Sequence, residues 1–439
     1  MSDAQIASGD HYAVLRIRDF RLYLIGRLAA VFGQQMLTVA VGWQLYKRTG
    51  SALALGLVGL TEMIAMVLCT LPAGHFADNV NRKRIILAAL SVSTIASLGL
   101  AVSAWRHAPV SWIYACLFIA ATARTFLWPA SSAFLTSLVP RELFPRAVTW
   151  NSGAFQLSSV TGYAAGGGLI WLLYKYTDNP DHSAACVYAL NAVTALTCFT
   201  LVKCIHRTHT VSNPEPMTLK SLVTGFKFVF STRIILGIIT LDMFAVFLGG
   251  ATILLPVYAE DILHAGPAGL GILYAALPIG AVVCALFLAH RPPMEKAGRA
   301  LLWGVVAFGV ATIAFGLSKW FWFSFAMLAL CGAVDNVSVV VRHTLVQLLT
   351  PDEKRGRVSA VNSLFIGTSN ELGGFESGFV AYLFGPAIGL TKVAGATISV
   401  VSGGVGTILV VAVVALAWPE IRKYGRLGGD AADGAPKSD

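Results

Sequence analysis

Long apolar stretches alternate with short polar breaks along the whole chain. Twelve stretches can be read: 22–46, 52–73, 85–104, 110–134, 147–174 and 184–202 in the first half, then 234–258, 270–289, 300–317, 321–349, 358–383 and 394–418. A helix rises about 1.5 Å per residue, so about 20 apolar residues cross a bilayer. The pattern predicts an all-α membrane protein with 12 transmembrane helices. A longer polar connector containing Asn213-Pro214-Glu215-Pro216 follows the sixth stretch. Its end, 219–230, mixes apolar residues with Lys220 and Lys227 and reads as an amphipathic helix on the membrane surface. The expected organisation is a bundle over 1–206, a linker over 207–232, a second bundle over 233–426 and a disordered polar tail over 427–439.

The two halves repeat. Leu138-Val139-Pro140-Arg141-Glu142, with Arg146 and Asn151-Ser152 beyond it, matches Leu349-Thr350-Pro351-Asp352-Glu353, Arg357 and Asn362-Ser363. At the same spacing Gly162 and Gly167 fall on Gly373 and Gly378. A looser match sets Ala30-Val31-Phe32 against Ala245-Val246-Phe247 and Leu55-Gly56 against Leu270-Gly271. Two six-helix pseudo-repeats of like orientation are one of the recurring transporter architectures, with the substrate site near the midplane where the repeats meet.

Composition agrees: 56% of the 439 residues are hydrophobic and 12% charged, against about 25% charged in soluble domains. A net charge of +10 would suit a nucleic-acid partner, but its distribution excludes that reading. The breaks expected on one side of the membrane hold 23 Lys and Arg and those on the other hold six, with Arg27, Arg124 and Arg342 inside stretches. The positive-inside rule then places both termini in the cytoplasm. No cleavable signal pattern precedes the first stretch. The seven cysteines show neither disulfide nor metal-ligand spacing, so no metal or other cofactor is expected.

The break at Gly74-His75-Phe76-Ala77-Asp78-Asn79-Val80-Asn81-Arg82-Lys83-Arg84 reads as a short polar hinge. It resembles the signature loop between the second and third helices of the major facilitator superfamily, with Gly74, Asp78, Arg82 and Lys83 at matching or near-matching places. Ser51-Ala52-Leu53-Ala54-Leu55-Gly56-Leu57, Leu254-Leu255-Pro256-Val257-Tyr258 and Thr350-Pro351-Asp352-Glu353-Lys354-Arg355-Gly356-Arg357-Val358 add a resemblance to its bacterial exporter branch, that of the enterobactin exporter. The resemblance implies a monomeric, inner-membrane secondary transporter working by alternating access, with the hinge as a gating latch; three cations would also anchor topology on their own. The pattern also departs: Asn79 and Asn81 differ from the signature loop. The second half carries Arg291-Pro292-Pro293-Met294 in place of the hinge, Tyr163 stands where antiporters of this kind have proline, and Gln34 stands where a first-helix carboxylate is frequent.

Ionisable groups inside spans are costly and mark functional sites by default. They are Arg27, Glu62, Arg124, Asp242, Asp335, Glu371 and Glu376. The repeat maps Arg27 onto Asp242 and Arg124 onto Asp335, which suggests a charge network in which an acid exchanges protons under the influence of a cation. The alternative is a static cluster that holds helices together. Gln34 and Thr38 with Arg27, and Gln156 and Tyr163 with Ser152 and Ser159, form polar stripes at helical spacing that would line a substrate cavity; interhelical hydrogen bonding is the bland alternative. Asp335, Ser338 and Arg342 form another such stripe. Glu371 and Glu376 are five residues apart and point about 140° away from each other.

No catalytic pair and no phosphate-binding glycine loop with lysine is present, so no enzyme and no ATP coupling is expected. The leading reading is proton-coupled efflux of a small organic molecule, a siderophore or drug-like compound. Import or facilitated movement of a metabolite or lysolipid is the alternative within transport. A receptor or assembly factor on the same fold is the alternative outside it.

Overall fold

The structure, a computed structural model, describes residues 12–206, 227–291 and 294–425. Among these residues there is no strand, and twelve long helices carry the fold. They are α1 (Arg18–Thr49), α2 (Ala52–Asn79), α3 (Arg82–Trp105), α4 (Val110–Leu138), α5 (Phe144–Thr177) and α6 (Pro180–Lys203). The second half contributes α7 (Arg233–Leu248), α8 (Gly266–Ala289), α9 (Ala297–Leu317), α10 (Phe321–Leu349), α11 (Asp352–Leu383) and α12 (Lys392–Ala417). Ten are long and apolar enough to cross a membrane, with α7 counted through Ile262. The other two, α5 and α11, match them in length at 34 and 32 residues but are more polar.

Helix ends follow local chemistry. Asn81 caps α3 by accepting from the Lys83 backbone N–H at 3.0 Å, and Asn179 does the same for Asp181 at 2.9 Å with Pro180 opening α6. The hinge expected over 74–84 is therefore mostly helix. α2 runs on through Asn79 and only Val80 and Asn81 interrupt it before Asn81 caps α3. The expected seventh span, 234–258, is interrupted instead. α7 stops at Leu248, Gly249 and Gly250 turn the chain, and a 3₁₀ turn, Ala251–Leu254, leads through Leu255–Val257 to a π-turn, Tyr258–Ile262. A built Cβ on Gly250 would stand 2.5 Å from the Gly373 carbonyl oxygen, so the chain passes α11 there only without a side chain. Of the expected surface helix, 227–231 is helical; its earlier part, most of the linker and the tail lie outside the described residues.

The chain forms two compact units. The first takes the described residues of Met1–Thr49, Ile64–Met217 and Gly266–Ala275; the second takes those of Gly50–Met63, Thr218–Ala265 and Ala276–Asp439. In the first unit α1 packs on α5 and α6, and α3 on α4 and α6; in the second α7 packs on α11 and α12, and α9 on α10 and α12. The repeat in the sequence is thus a repeat in packing. The first core gathers Phe20, Ile86, Leu90, Phe134, Leu138 and Val202, and the second gathers Ile238, Leu241, Leu301, Val305, Val341 and Val414. Ile95, Leu98, Val310, Val413 and Leu416 stay exposed, as suits side chains whose solvent is lipid.

Glycines fix the crossings. A Cβ on Gly162 would sit 2.6 Å from the Phe32 carbonyl oxygen, and one on Gly373 would sit 2.7 Å from that of Phe247. Phe32 and Phe247 are themselves repeat-equivalent. The start of α2 meets α11 at Gly56 and Gly378, where a Cβ on Gly378 would be 2.6 Å from the Gly56 Cα. The start of α8 meets α5 at Gly271 and Gly167, with 2.8 Å for the corresponding distance from Gly167. In lipid, such close backbone approach replaces the hydrophobic effect as the source of helix association.

Gly373→Val should overpack the α7–α11 crossing and cost about 1–3 kcal/mol, read as a lower unfolding temperature in detergent. Gly374→Ala is the control: its Cβ would meet only Ile253, at 3.8 Å, and its stability should equal or exceed that of the wild type.

Candidate functional site

In the first unit, α1, α4 and α5 bring together the cationic and polar residues expected of a cavity. The Arg27 guanidinium carbon lies 5.9 Å from the centre of the Trp128 ring, within reach of a cation–π interaction. Its Nε is buried and has no hydrogen-bond partner. Trp128 itself is 62% exposed, so the ring is open to an incoming group. On the same helix α1, Gln35 Nε2 donates to Ser159 Oγ at 3.1 Å, and Ser158 Oγ donates to the Leu28 carbonyl at 3.0 Å, joining α1 to α5. One turn further, Tyr163 stacks on Tyr274 of α8 with ring centres 5.3 Å apart and planes 19° apart. Arg124 is half-buried on α4. Gln34 and Gln156 are half-buried on the same helices. Thr38 spends its hydroxyl on the Gln34 carbonyl, 3.1 Å away on its own helix.

In the second unit, the acids divide into two kinds. Asp242 on α7 is buried and ion-paired to the buried Arg342 of α10. Asp335, two turns before Arg342 on the same helix, is exposed in mid-helix and has no ion-pair partner among the described residues. Glu376 accepts from Ser377 Oγ at 3.4 Å, at the limit of a hydrogen bond. Glu371 and Glu62 are half-buried in the same unit, and the Glu371 carbonyl oxygen lies 2.5 Å from where Gly59 would carry a Cβ. Residues 335, 338 and 342 do share a face. Only Arg342 pairs with α7, a contact that the spacing along α10 does not reveal.

At the α2–α3 junction, two of the hinge cations bind backbone carbonyls of neighbouring helices. Arg82 Nη1 donates to the Ala133 carbonyl of α4 at 3.0 Å. Lys83 Nζ donates to the carbonyls of Lys203 and Ile205 at 3.0 and 2.6 Å, neutralising the negative end of α6. Gly74 is a half-buried helical residue, and the Asp78 side chain lies outside the described residues.

The far end of the first unit holds a network that the sequence reading missed. Asp181 Oδ1 accepts from Arg48 Nε at 2.6 Å and Gln44 Nε2 at 2.7 Å, while Oδ2 meets His107 Nδ1 at 2.7 Å. Tyr188 donates to Gln44 Oε1 at 2.7 Å. The one local signal was Asn179-Pro180-Asp181, a helix start that seats an acid in the first turn.

Residues 23–374 match the family model for the Major Facilitator Superfamily. The enterobactin exporter EntS of Citrobacter koseri is 29% identical over 424 residues, covering 95% of each chain. That of Shigella flexneri is 27% identical over 412 residues, covering 92% of this chain and 93% of its own. Among solved structures, a bacterial homologue of the human lysosomal transporter Spinster, inward-facing and occupied, has a TM-score of 0.73 at 15% identity, covering 93% of this chain and 99% of its own. The POT family transporter PepTSo has a TM-score of 0.72 at 13% identity, covering 92% of this chain and 98% of its own. These structural likenesses concern the fold.

The buried Asp242–Arg342 pair gives an asymmetric expectation. Asp242→Ala alone strands a buried cation and should cost about 3–5 kcal/mol, whereas Asp242→Ala with Arg342→Met should recover most of that loss. Unfolding of the two variants in detergent, compared with the wild type, measures it.

Proposed function

The chain belongs to the major facilitator superfamily, and we propose that it exports a small organic anion with aromatic character, of the siderophore or drug-like class. It is a transporter, not an enzyme, and a multi-pass protein of the bacterial inner membrane. The proposed topology has twelve spans with both termini in the cytoplasm, which the 23-to-6 distribution of basic residues supports. Transport would proceed by alternating access, coupled to proton re-entry.

The observation that carries this reading is the Arg27 guanidinium beside the exposed Trp128 ring; the Tyr163–Tyr274 stack would add aromatic surface. A guanidinium beside an exposed indole favours a ligand that brings both an anionic group and a flat ring. Gln34, Gln156 and Arg124 would supply further polar contacts. The relatives named as enterobactin exporters support export and the siderophore class.

For the proton, Asp335 is the better candidate of the two acids. It is exposed in mid-span and has no ion-pair partner among the described residues, whereas Asp242 is committed to Arg342. Protonation would remove a charge that resists passage through a dry intermediate, and the cycle would then turn with the proton gradient.

Inverted vesicles with an acidic lumen test both parts. Uptake of a fluorescent anionic aromatic probe should fall at least about fivefold in Arg27→Gln and Trp128→Ala, as loss of ~1 kcal/mol of cation–π contact implies. Asp335→Asn should still bind the probe but lose its response to the gradient. Gradient-driven uptake at the wild-type rate in Asp335→Asn would refute its role as proton carrier. Movement of the probe only down its own gradient in the wild type would refute coupled export.

A further inference from the structure

At the end of the first unit opposite the Arg82–Arg84 cations, α3 and α6 border a groove of about 350 Å³. Its walls are Ala101, Val102 and Trp105 from α3 and Ala185, Cys186 and Ala189 from α6, with Arg106 at the lip. The small residues of α6 make the space, since alanine and cysteine leave uncovered the surface that leucines elsewhere would fill. The groove faces outward, where the exposed side chains are apolar: Ile95, Leu98 and Val102 continue along the same helix. In a bilayer such a space takes a hydrocarbon chain.

The wall is held in place. Trp105 stacks on His182 at 4.6 Å with planes 27° apart, and His182 lies 5.6 Å from His107. His107 is anchored on Asp181, which Arg48 and Gln44 fix in turn. The carboxylate of Asp181 is therefore taken up by three donors and leaves the lip uncompensated. Arg106 is exposed, and no acid pairs with it among the described residues. Tryptophan and arginine at the end of a span lie at the level of lipid headgroups, where a basic side chain attracts anionic lipid.

We propose that this groove is a binding site for an anionic glycerophospholipid, with one acyl chain lying between α3 and α6 and the phosphate drawn to Arg106. The charge at the lip selects the occupant: a zwitterionic lipid offers the same chain but carries a second, positive charge beside its phosphate. The leaflet concerned is the one opposite the Arg82–Arg84 cations. The site shares no residue with the Arg27–Trp128 face, so it stands whatever the protein transports.

The test is competitive lipid binding to the delipidated full-length protein in detergent, using phosphatidylglycerol and phosphatidylcholine of identical acyl chains. Bound lipid is counted by native mass spectrometry, and the rate of maleimide addition at Cys186 is followed at the peptide level. Wild type should prefer phosphatidylglycerol by about fivefold, the discrimination that one cation near the surface supplies, and that lipid should slow modification of Cys186. Arg106→Gln should abolish the preference while both lipids still bind. Ala189→Leu should fill the groove and reduce binding of both. An Arg106→Gln variant that keeps the preference, or a Cys186 rate indifferent to phosphatidylglycerol in the wild type, would overturn the assignment. The Cys186 measurement needs no substitution, so a poorly folding variant leaves the proposal open to refutation.

Discussion

Close approach of backbones at glycine is the constraint on which the rest of this structure depends. Lipid offers no hydrophobic reward for bringing two apolar helices together, so association has to come from contact between surfaces that fit. Gly162 lets α5 meet α1 at the Phe32 carbonyl, and Gly373 lets α11 meet α7 at that of Phe247. The paired crossings at Gly56 with Gly378 and at Gly167 with Gly271 obey the same rule. Once these four crossings are set, the directions in which α1, α5, α7 and α11 present their side chains are set as well.

On that scaffold each charge has one of two fates. Some are spent on structure: Lys83 caps the end of α6, Arg82 binds a carbonyl of α4, Asp181 gathers three donors, and Asp242 closes on Arg342. Others are left open. Arg27 keeps an unsatisfied Nε beside an exposed indole, and Asp335 stands exposed on a membrane helix. Charges already matched are poor candidates for recognising cargo or exchanging protons, because engaging them would first expose a buried partner. The open ones carry the transport reading for that reason. The hinge cations illustrate the contrast, since Arg82 and Lys83 are both spent on backbone carbonyls. Any latch they form has to be built on top of that role.

Much of the architecture was legible in the chain. The apolar stretches located every long helix to within a few residues at most ends, because length and hydropathy are local properties. The spacing between halves picked out Gly162, Gly167, Gly373 and Gly378 as equivalent, and the structure places each pair against equivalent neighbours. Two local features were misjudged. The hinge over 74–84 proved mostly helical because Asn81 supplies the cap, and the seventh span is broken at Gly249-Gly250, where α11 comes too close for a side chain.

By itself, then, the sequence determined the class of solvent, the number and order of helices, the repeat and the set of charges that a membrane makes expensive. Those follow from composition and period, which every residue carries wherever it ends up. Only the tertiary structure decided which charges are matched. Arg342 is 100 residues from Asp242 in the chain, and nothing along it says that they touch; Trp128 beside Arg27, Tyr274 on Tyr163, and the groove walled by Trp105 and Cys186 are likewise products of helices meeting. Pairing is a property of distance in space. Two residues that share neither a turn nor a repeat leave no trace of it in their order.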